Sequence, residues 1–288
     1  MSLGLEFEKY QGAGNHFVLF DRPWTPEFSP ERLRFICAPA FGVGADGVLF
    51  VDPPRDAAAA TARMRMFNPD GSEAEMCGNG IRCFALHLMR TGRAAGESVK
   101  IETLAGLHDC RILRDADGNF SGAEIAMGRP AFGINAAGVD PSAPDGAWGF
   151  DLGREHEGRR LIGYAVSMGN PHLVIFDEGG EEACLRHGPL LEHHPAFPGR
   201  VNVEFVKALS ENEFRVDVWE RGAGRTLACG SGSCAVACAA VKLGKADPGK
   251  PVRIVLPGGT LQIRTDAGLD RVFLSGPAEH VFSGRSAG

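Results

Sequence analysis

Two short stretches of this chain could do chemistry. MCGNGIRC spans residues 76 to 83 and ACGSGSCA spans residues 228 to 235, each a cysteine followed by glycine-rich backbone. In each case apolar residues follow in a pattern suited to a helix, so Cys77 and Cys229 stand where a helix begins. The first turn of a helix has unpaired N–H groups and the positive end of the dipole, both of which favour a nearby anion. A thiol ordinarily titrates near ~8.5, and a helix start is expected to lower that value, making thiolate accessible at neutral pH. The glycines at 78, 80, 230 and 232 remove side chains that would keep a ligand from the amides. A loop of this kind can hold a carboxylate beside a base. Two such loops, converging from opposite sides on one ligand, could invert a carbon centre. One thiolate removes a proton next to a carboxylate and the other thiol returns a proton to the opposite face. The amides stabilise the charge that develops, and exclusion of water from a cleft strengthens the effect.

Other uses of the same cysteines are weaker. Zinc ligation by Cys77 with Cys83 and Cys229 with Cys234 would need C-x5-C and C-x4-C pairs, wider than ordinary structural zinc pairs, with Cys83 and Cys234 inside helices. A single CGNG or CGSG is also compatible with a turn or a phosphate cradle. What separates these loops from that reading is their repetition. RMRMFN (Arg63 to Asn68) matches RVDVWE (Arg215 to Glu220) at the same offset of 152 residues that relates Cys77 to Cys229. GAGNHFVLFD resembles SMGNPHLVIFD with Asn15 against Asn170, and PAFGVGADGVLFV resembles PAFPGRVNVEFV. TLAGL parallels LPGGTL in the same order downstream.

The elements that must carry these residues follow from the repeat. The expected fold is α+β: two homologous, pseudo-symmetric domains, each a β-barrel-like sheet around a central helix. Residues 1–130 form the first, carrying Cys77. Residues 131–275 form the second, carrying Cys229. The active site would lie in the cleft between the domains. Alternation in Arg63–Phe67, Val99–Thr103, Arg215–Trp219 and Leu261–Arg264 predicts strands. Ile81, Phe84, Ala85, Leu88 and Met89 predict a helix that stops near Arg90 and Gly92, and CAVACAAVKLG predicts a helix buried on all sides. The Gly, Pro, Ala and Asp of residues 133–149 read as a linker or excursion.

Polar residues cluster around the loops in the sequence. Asn68 and Glu220 each precede their cysteine by nine residues at the end of an alternating strand. Arg221 offers a bidentate clamp for a carboxylate, Glu220 a partner for an ammonium group or a base, and His172 a group able to help deprotonate a cysteine. Asn15, Asn170 and Asn202 flank strand-like runs and could bond a carboxylate or amine. Cys37, Cys110, Cys184 and Cys238 read as packing residues.

Bulk composition narrows the class. The chain has 288 residues, 44% hydrophobic, 23% charged, and a formal net charge of −6 without basic clusters, which argues against nucleic acid. No apolar run approaches the ~18 residues of a membrane span, and the start has no secretory pattern, so a cytoplasmic protein with a small-molecule partner is expected. Neither a metal nor a cofactor is called for.

FNPDGSEAEMCGNGIRC, SMGNPH, ERGAGRTLACGSGSCA and the early GAGN together resemble diaminopimelate epimerase, in order, from about residue 8 to about residue 282. The double cysteine alone would equally suit a proline racemase, or a metal-binding or redox-sensing protein. The resemblance implies a cofactor-independent isomerase interconverting LL- and meso-diaminopimelate on the route to lysine and peptidoglycan. It also implies, where the repeat does not, a return of residues 276–288 onto the first domain. Cys77 and Cys229 would be the acid/base pair, and His172 and Glu220 would tune the thiols. The amides at Gly78, Asn79, Gly80, Gly230 and Ser231 would hold the reacting carboxylate. Asn15, Asn68, Asn170, Asn202, Glu220 and Arg221 would contact substrate. Two departures stand out: His16 where the family often has an acidic residue, and Gly47 where some members carry glutamine. A homodimer is compatible with the sequence, which does not itself fix the oligomeric state.

Overall fold

A computed structural model describes residues 4–177 and 180–286. The chain forms two compact units, Met1–Ala126 with Ser275–Gly288, and Met127–Leu274.

In the first unit, β1 (Glu6–Gly12) and β2 (Asn15–Phe20) form an antiparallel hairpin. Its two-residue turn is Ala13–Gly14, both at positive φ (54° and 82°), the conformation that matches strand twist and suits glycine at the second place. After α1 (Pro30–Cys37), β3 (Gly47–Asp52) runs parallel to β2, with Phe17 opposite Gly47. β4 (Ala62–Phe67) pairs antiparallel with β3, and the short β5 (Glu73–Ala74) turns back on β4. Then comes α2 (Gly78–Arg90), followed by β6 (Ser98–Thr103), β7 (Gly106–Arg114) and β8 (Phe120–Gly128). β6 lies parallel to β4, and β6, β7 and β8 form a meander. The C-terminal strand Glu279–Arg285 pairs antiparallel with β1. Helix α2 is buried from Gly78 to Leu88 and packs against β1, β2, β4, β6 and β7. Such a helix must be apolar nearly all round, and its buried polar side chains find partners: Arg82 donates to the carbonyls of Gly78 (3.0 Å) and Pro277 (3.2 Å), and His87 Nδ1 lies 3.0 Å from the Tyr10 hydroxyl.

The second unit uses the same sequence of moves. β9 (Ala131–Phe132) and β10 (Trp148–His156) pair with successive parts of one edge of β11 (Arg159–Ser167), and β12 (Pro171–Phe176) pairs with the other. After α3 (Glu181–Leu191), β13 (Asn202–Ser210) runs parallel to β12, with His172 opposite Asn202. β14 (Glu213–Glu220) and β15 (Gly224–Thr226) form the hairpin before α4 (Gly230–Lys242). β16 (Val252–Leu256), β17 (Gly259–Thr265) and β18 (Val272–Gly276) complete the unit. Small residues let β11, β12, β13, β16 and β17 close around α4, where Cys234 through Ala240 are fully buried.

Two helices went unforeseen. α1 begins with Ser29 accepting from the Arg32 N–H, Pro30 in the first turn and Glu31 beside it, a complete N-terminal signal on a helix of only eight residues. α3 starts with Glu181 and Glu182 and tolerates Pro189 within it. α1 packs against β3, and α3 against β13, β14 and β15. Residues 133–149 are more than a connector: Ala136 and Ala147 enter the core of the second unit beside Phe150, Leu161, Leu173 and Phe205.

Candidate active site

Each cysteine is the N-cap of the helix that its unit buries. Cys77 has extended backbone (φ −141°, ψ 117°), and its sulfur accepts from the Gly80 N–H at 3.4 Å. Cys229 does the same (φ −128°, ψ 114°), accepting from the Gly232 N–H at 3.4 Å. A sulfur thus takes the place that serine or aspartate oxygen usually fills at a helix start, satisfying one orphan donor and fixing the side chain over the first turn. The amide of Gly80, expected to face a carboxylate, is turned onto the sulfur of its own loop.

Around Cys77, the Asn79 side chain is buried and donates to Asn15 Oδ1 at 3.3 Å. Asn15 in turn donates to Asp46 Oδ2 at 2.7 Å, and the same oxygen accepts the His16 N–H at 2.8 Å. Asp46 was not anticipated, yet it holds the start of β2 in register beside the loop. The His16 ring bridges this chain of contacts to Lys9, with Nε2 3.7 Å from the same Asp46 oxygen and Nδ1 2.8 Å from Lys9 Nζ. Asn68 sits in the turn after β4, its Nδ2 donating to Ser72 Oγ at 3.0 Å. Gly47 has a steric reason: a Cβ there would stand 3.0 Å from both Met66 Cε and the Phe67 carbonyl oxygen, so glutamine would not fit without movement.

Around Cys229 the polar network is denser. Asn170, placed by Gly169 at φ +99°, donates to Ser231 Oγ at 3.3 Å, and the Ser231 hydroxyl lies 3.6 Å from Cys229 Sγ. His172 is fully buried, with Nε2 3.0 Å from Asn170 Oδ1 and Nδ1 2.7 Å from Glu204 Oε1. Glu204 is equally buried, and its Oε2 has no hydrogen-bond partner among the described residues. Asn202 uses both ends of its amide internally, donating to the Pro171 carbonyl (2.9 Å) and accepting the Arg221 N–H (2.9 Å). Glu220 accepts from Thr226 Oγ1 at 2.5 Å. The exposed Arg221 guanidinium reaches the Gly199 carbonyl at 3.2 Å, so its backbone and side chain both anchor the turn after β14. Glu192 holds that turn from below, accepting from Trp219 Nε1 (2.8 Å) and the Gly222 N–H (2.9 Å).

One expectation is reversed here. A helix start was expected to lower the thiol, but Cys229, only 7% exposed, is pushed well above its ordinary value. Burial is the main cause, reinforced by the negative charges of Glu220 and Glu204 and only partly opposed by the Ser231 hydroxyl and the Gly232 amide. The dipole stabilises a thiolate that water can also reach, and at Cys229 the loss of water outweighs it.

A ring nitrogen of His172, a carboxylate oxygen of Glu204 and Cys229 Sγ all lie within 4.8 Å of one another, the reach of a metal centre. Nδ1 and Oε1, however, are 2.7 Å apart and bonded to each other, whereas two ligands on a tetrahedral zinc would stand about 3.3 Å apart. The group is a hydrogen-bonded cluster in which Glu204 and His172 back the sulfur. Glu204 was missed from sequence, although a lone acid within the apolar run VNVEFV was a signal.

The fold class is that of the PhzF and proline racemase-like proteins. A phenazine biosynthesis protein of the PhzF family from Bacillus anthracis superposes with a TM-score of 0.71 at 16% identity, covering 99% of both chains. A hydroxyproline epimerase from Agrobacterium vitis superposes with a TM-score of 0.66 at 17% identity, covering 99% of this chain and 93% of that one. Within that class, residues 7–132 and 164–281 match the diaminopimelate epimerase family, and the chain belongs to it. Diaminopimelate epimerase from Synechococcus sp. (strain JA-2-3B'a(2-13)) is 47% identical over the whole of both chains. The enzyme of the same name from Moorella thermoacetica is 43% identical over 97% of this chain and 98% of its own.

Proposed function

We propose that this chain interconverts LL- and meso-diaminopimelate by a two-base proton transfer between Cys77 and Cys229. Membership of the family supports the substrate, and the observation that carries the mechanism is that both units build the same device, a cysteine sulfur held on the first turn of a buried helix. In this reading the two sulfurs act on one α-carbon from opposite faces, in a cleft between the two domains. One sulfur, as thiolate, takes the α-proton, and the bonding pair moves into the carboxylate to give an ene-diolate. The amides of Gly78, Asn79, Gly230 and Ser231 would bear that charge, while Gly80 stays on Cys77. The other sulfur, as thiol, gives its proton to the opposite face, and the roles exchange in the reverse direction. No electrons are transferred, so the scheme needs no redox or carbonyl cofactor. Asn15, Asn68, Asn170, Asn202, Glu220 and Arg221 would bind the two charged ends of the substrate, with Asn202 and Arg221 acting through the turn they anchor. His172 and Glu220 would set the protonation of Cys229. Among the described residues no helix is long and apolar enough to cross a membrane; a cytoplasmic location, where thiols stay reduced, and a homodimer belong to the same reading.

Incubation with LL-diaminopimelate in D2O should place deuterium at the α-carbon as meso product forms, and Cys77→Ala and Cys229→Ala should each abolish epimerisation in both directions. Product without solvent deuterium, or near-normal epimerisation by either variant, would refute the two-base scheme. Sedimentation of the pure chain tests the dimer.

A further inference from the structure

The two cysteine loops are built alike, but what lies behind them is not. In the first unit the parallel pair β2 and β3 sets Phe17 opposite Gly47, and two residues on β3 carries Leu49. In the second unit β12 and β13 set His172 opposite Asn202, and two residues on β13 carries Glu204. The equivalent positions are therefore Phe17 with His172 and Leu49 with Glu204, all fully buried. The glycine three residues after each cysteine reads out the difference. At Gly80 a Cβ would meet Cys77 Cβ, Leu49 Cδ2 and Met66 Sδ, each at 3.5 Å. At Gly232 it would meet Glu204 Oε1 at 2.5 Å and Cys229 Sγ at 3.2 Å. The bare α-carbon of Gly232 makes room for a carboxylate that the first unit replaces with leucine.

We infer that Glu204 is a positioning residue for Cys229: its carboxylate, braced by His172 behind the second loop, holds that cysteine in the protonated form. Resting on the two-thiol reading above, this makes Cys229 the proton donor of the resting enzyme. Three observations converge on it. The carboxylate lies within 4.8 Å of Cys229 Sγ together with the His172 ring. It is buried, so its charge acts through protein rather than water. Its Oε2 has no partner among the described residues, which leaves that oxygen's charge without a hydrogen bond to spread it. The charged and titratable groups facing Cys229 are Glu204 from β13, Glu220 from the end of β14 and His172 from β12, while Ser231 and the Gly232 amide face it from its own helix. A thiolate at Cys229 would stand beside two carboxylates, and burial opposes it as well.

The test is alkylation of the full chain by iodoacetamide across pH, read peptide by peptide by mass spectrometry. In the unsubstituted protein the midpoint for Cys229 should lie above the ordinary thiol value near ~8.5. In Glu204→Gln, which keeps shape and removes charge, that midpoint should fall by about one pH unit or more, while the profile of Cys77 stays in place. Glu204→Leu, which installs the residue type of the first unit, serves as the second variant should Gln not fold. A Cys229 midpoint at or below ~8.5 in the unsubstituted chain, or a profile in the variants that is unchanged, unreactive in both, or moved upward, overturns the assignment. Because alkylation needs no substrate, a failed deuterium experiment and a failed Glu204 assignment are separate results.

Discussion

Substituting alanine for the two equivalent glycines should have unequal effects on stability. A Cβ on Gly232 would lie 2.5 Å from Glu204 Oε1 and 3.2 Å from both Glu204 Cδ and Cys229 Sγ. The carboxylate cannot swing aside as an exposed side chain would, because it is fully buried and bonded to His172 at 2.7 Å. Overpacking of this kind costs about 1–3 kcal/mol, and displacing the carboxylate from His172 adds about 1–3 kcal/mol for buried groups left unpaired. The helical preference of alanine over glycine returns at most about 1 kcal/mol. Gly232→Ala should therefore lose about 3 kcal/mol, a drop in melting temperature of about 6–12 °C for a unit of this size. Gly80→Ala meets only ordinary contacts at 3.5 Å, so helical preference prevails and stability should be unchanged or rise by up to about 1 kcal/mol. Calorimetry of the two variants against the parent at pH 7 makes the comparison. Equal shifts in both, or a Gly232→Ala protein as stable as the parent, would refute the packing argument and the crowded position of Glu204 on which it depends.

Two further outcomes follow from buried groups elsewhere. Asn202→Asp keeps an acceptor for the Arg221 N–H but sets a carboxylate oxygen against the Pro171 carbonyl where an amide now donates at 2.9 Å; denaturant unfolding at pH 7 should show a loss of about 1–3 kcal/mol, and an unchanged midpoint would contradict it. Burial pushes the thiols of Cys83, Cys110 and Cys238 up to about 12, well above the ordinary thiol range. The unfolded chain sheds these protons first, so folding stability should be fully present below pH 9 and fall as pH rises from about 9 to about 12, approaching about 1.4 kcal/mol per thiol per pH unit. Urea midpoints that stay level between pH 8 and pH 10.5 would show that the folded chain lets those thiols ionise.

The sequence by itself determined whatever is local or repeated. A cysteine before glycines and an apolar helix becomes an N-cap because the unpaired amides of a first turn take the nearest acceptor, and that rule holds at both Cys77 and Cys229. Strand alternation and the offset between repeats likewise survive without tertiary information, since each depends on a handful of neighbours. α1 was written in Ser29, Pro30 and Glu31 but is too short to show periodicity. Residues 133–149 looked like a connector because their composition is that of a loop, while the burial of Ala136 and Ala147 depends on strands that follow them. Only the tertiary structure decided the protonation of Cys229. His172 and Glu204 are 32 residues apart and meet because β12 and β13 lie side by side in parallel. Desolvation by the closed second unit then reverses the effect of the helix start, since the dipole is a property of one turn and the exclusion of water a property of everything packed around it.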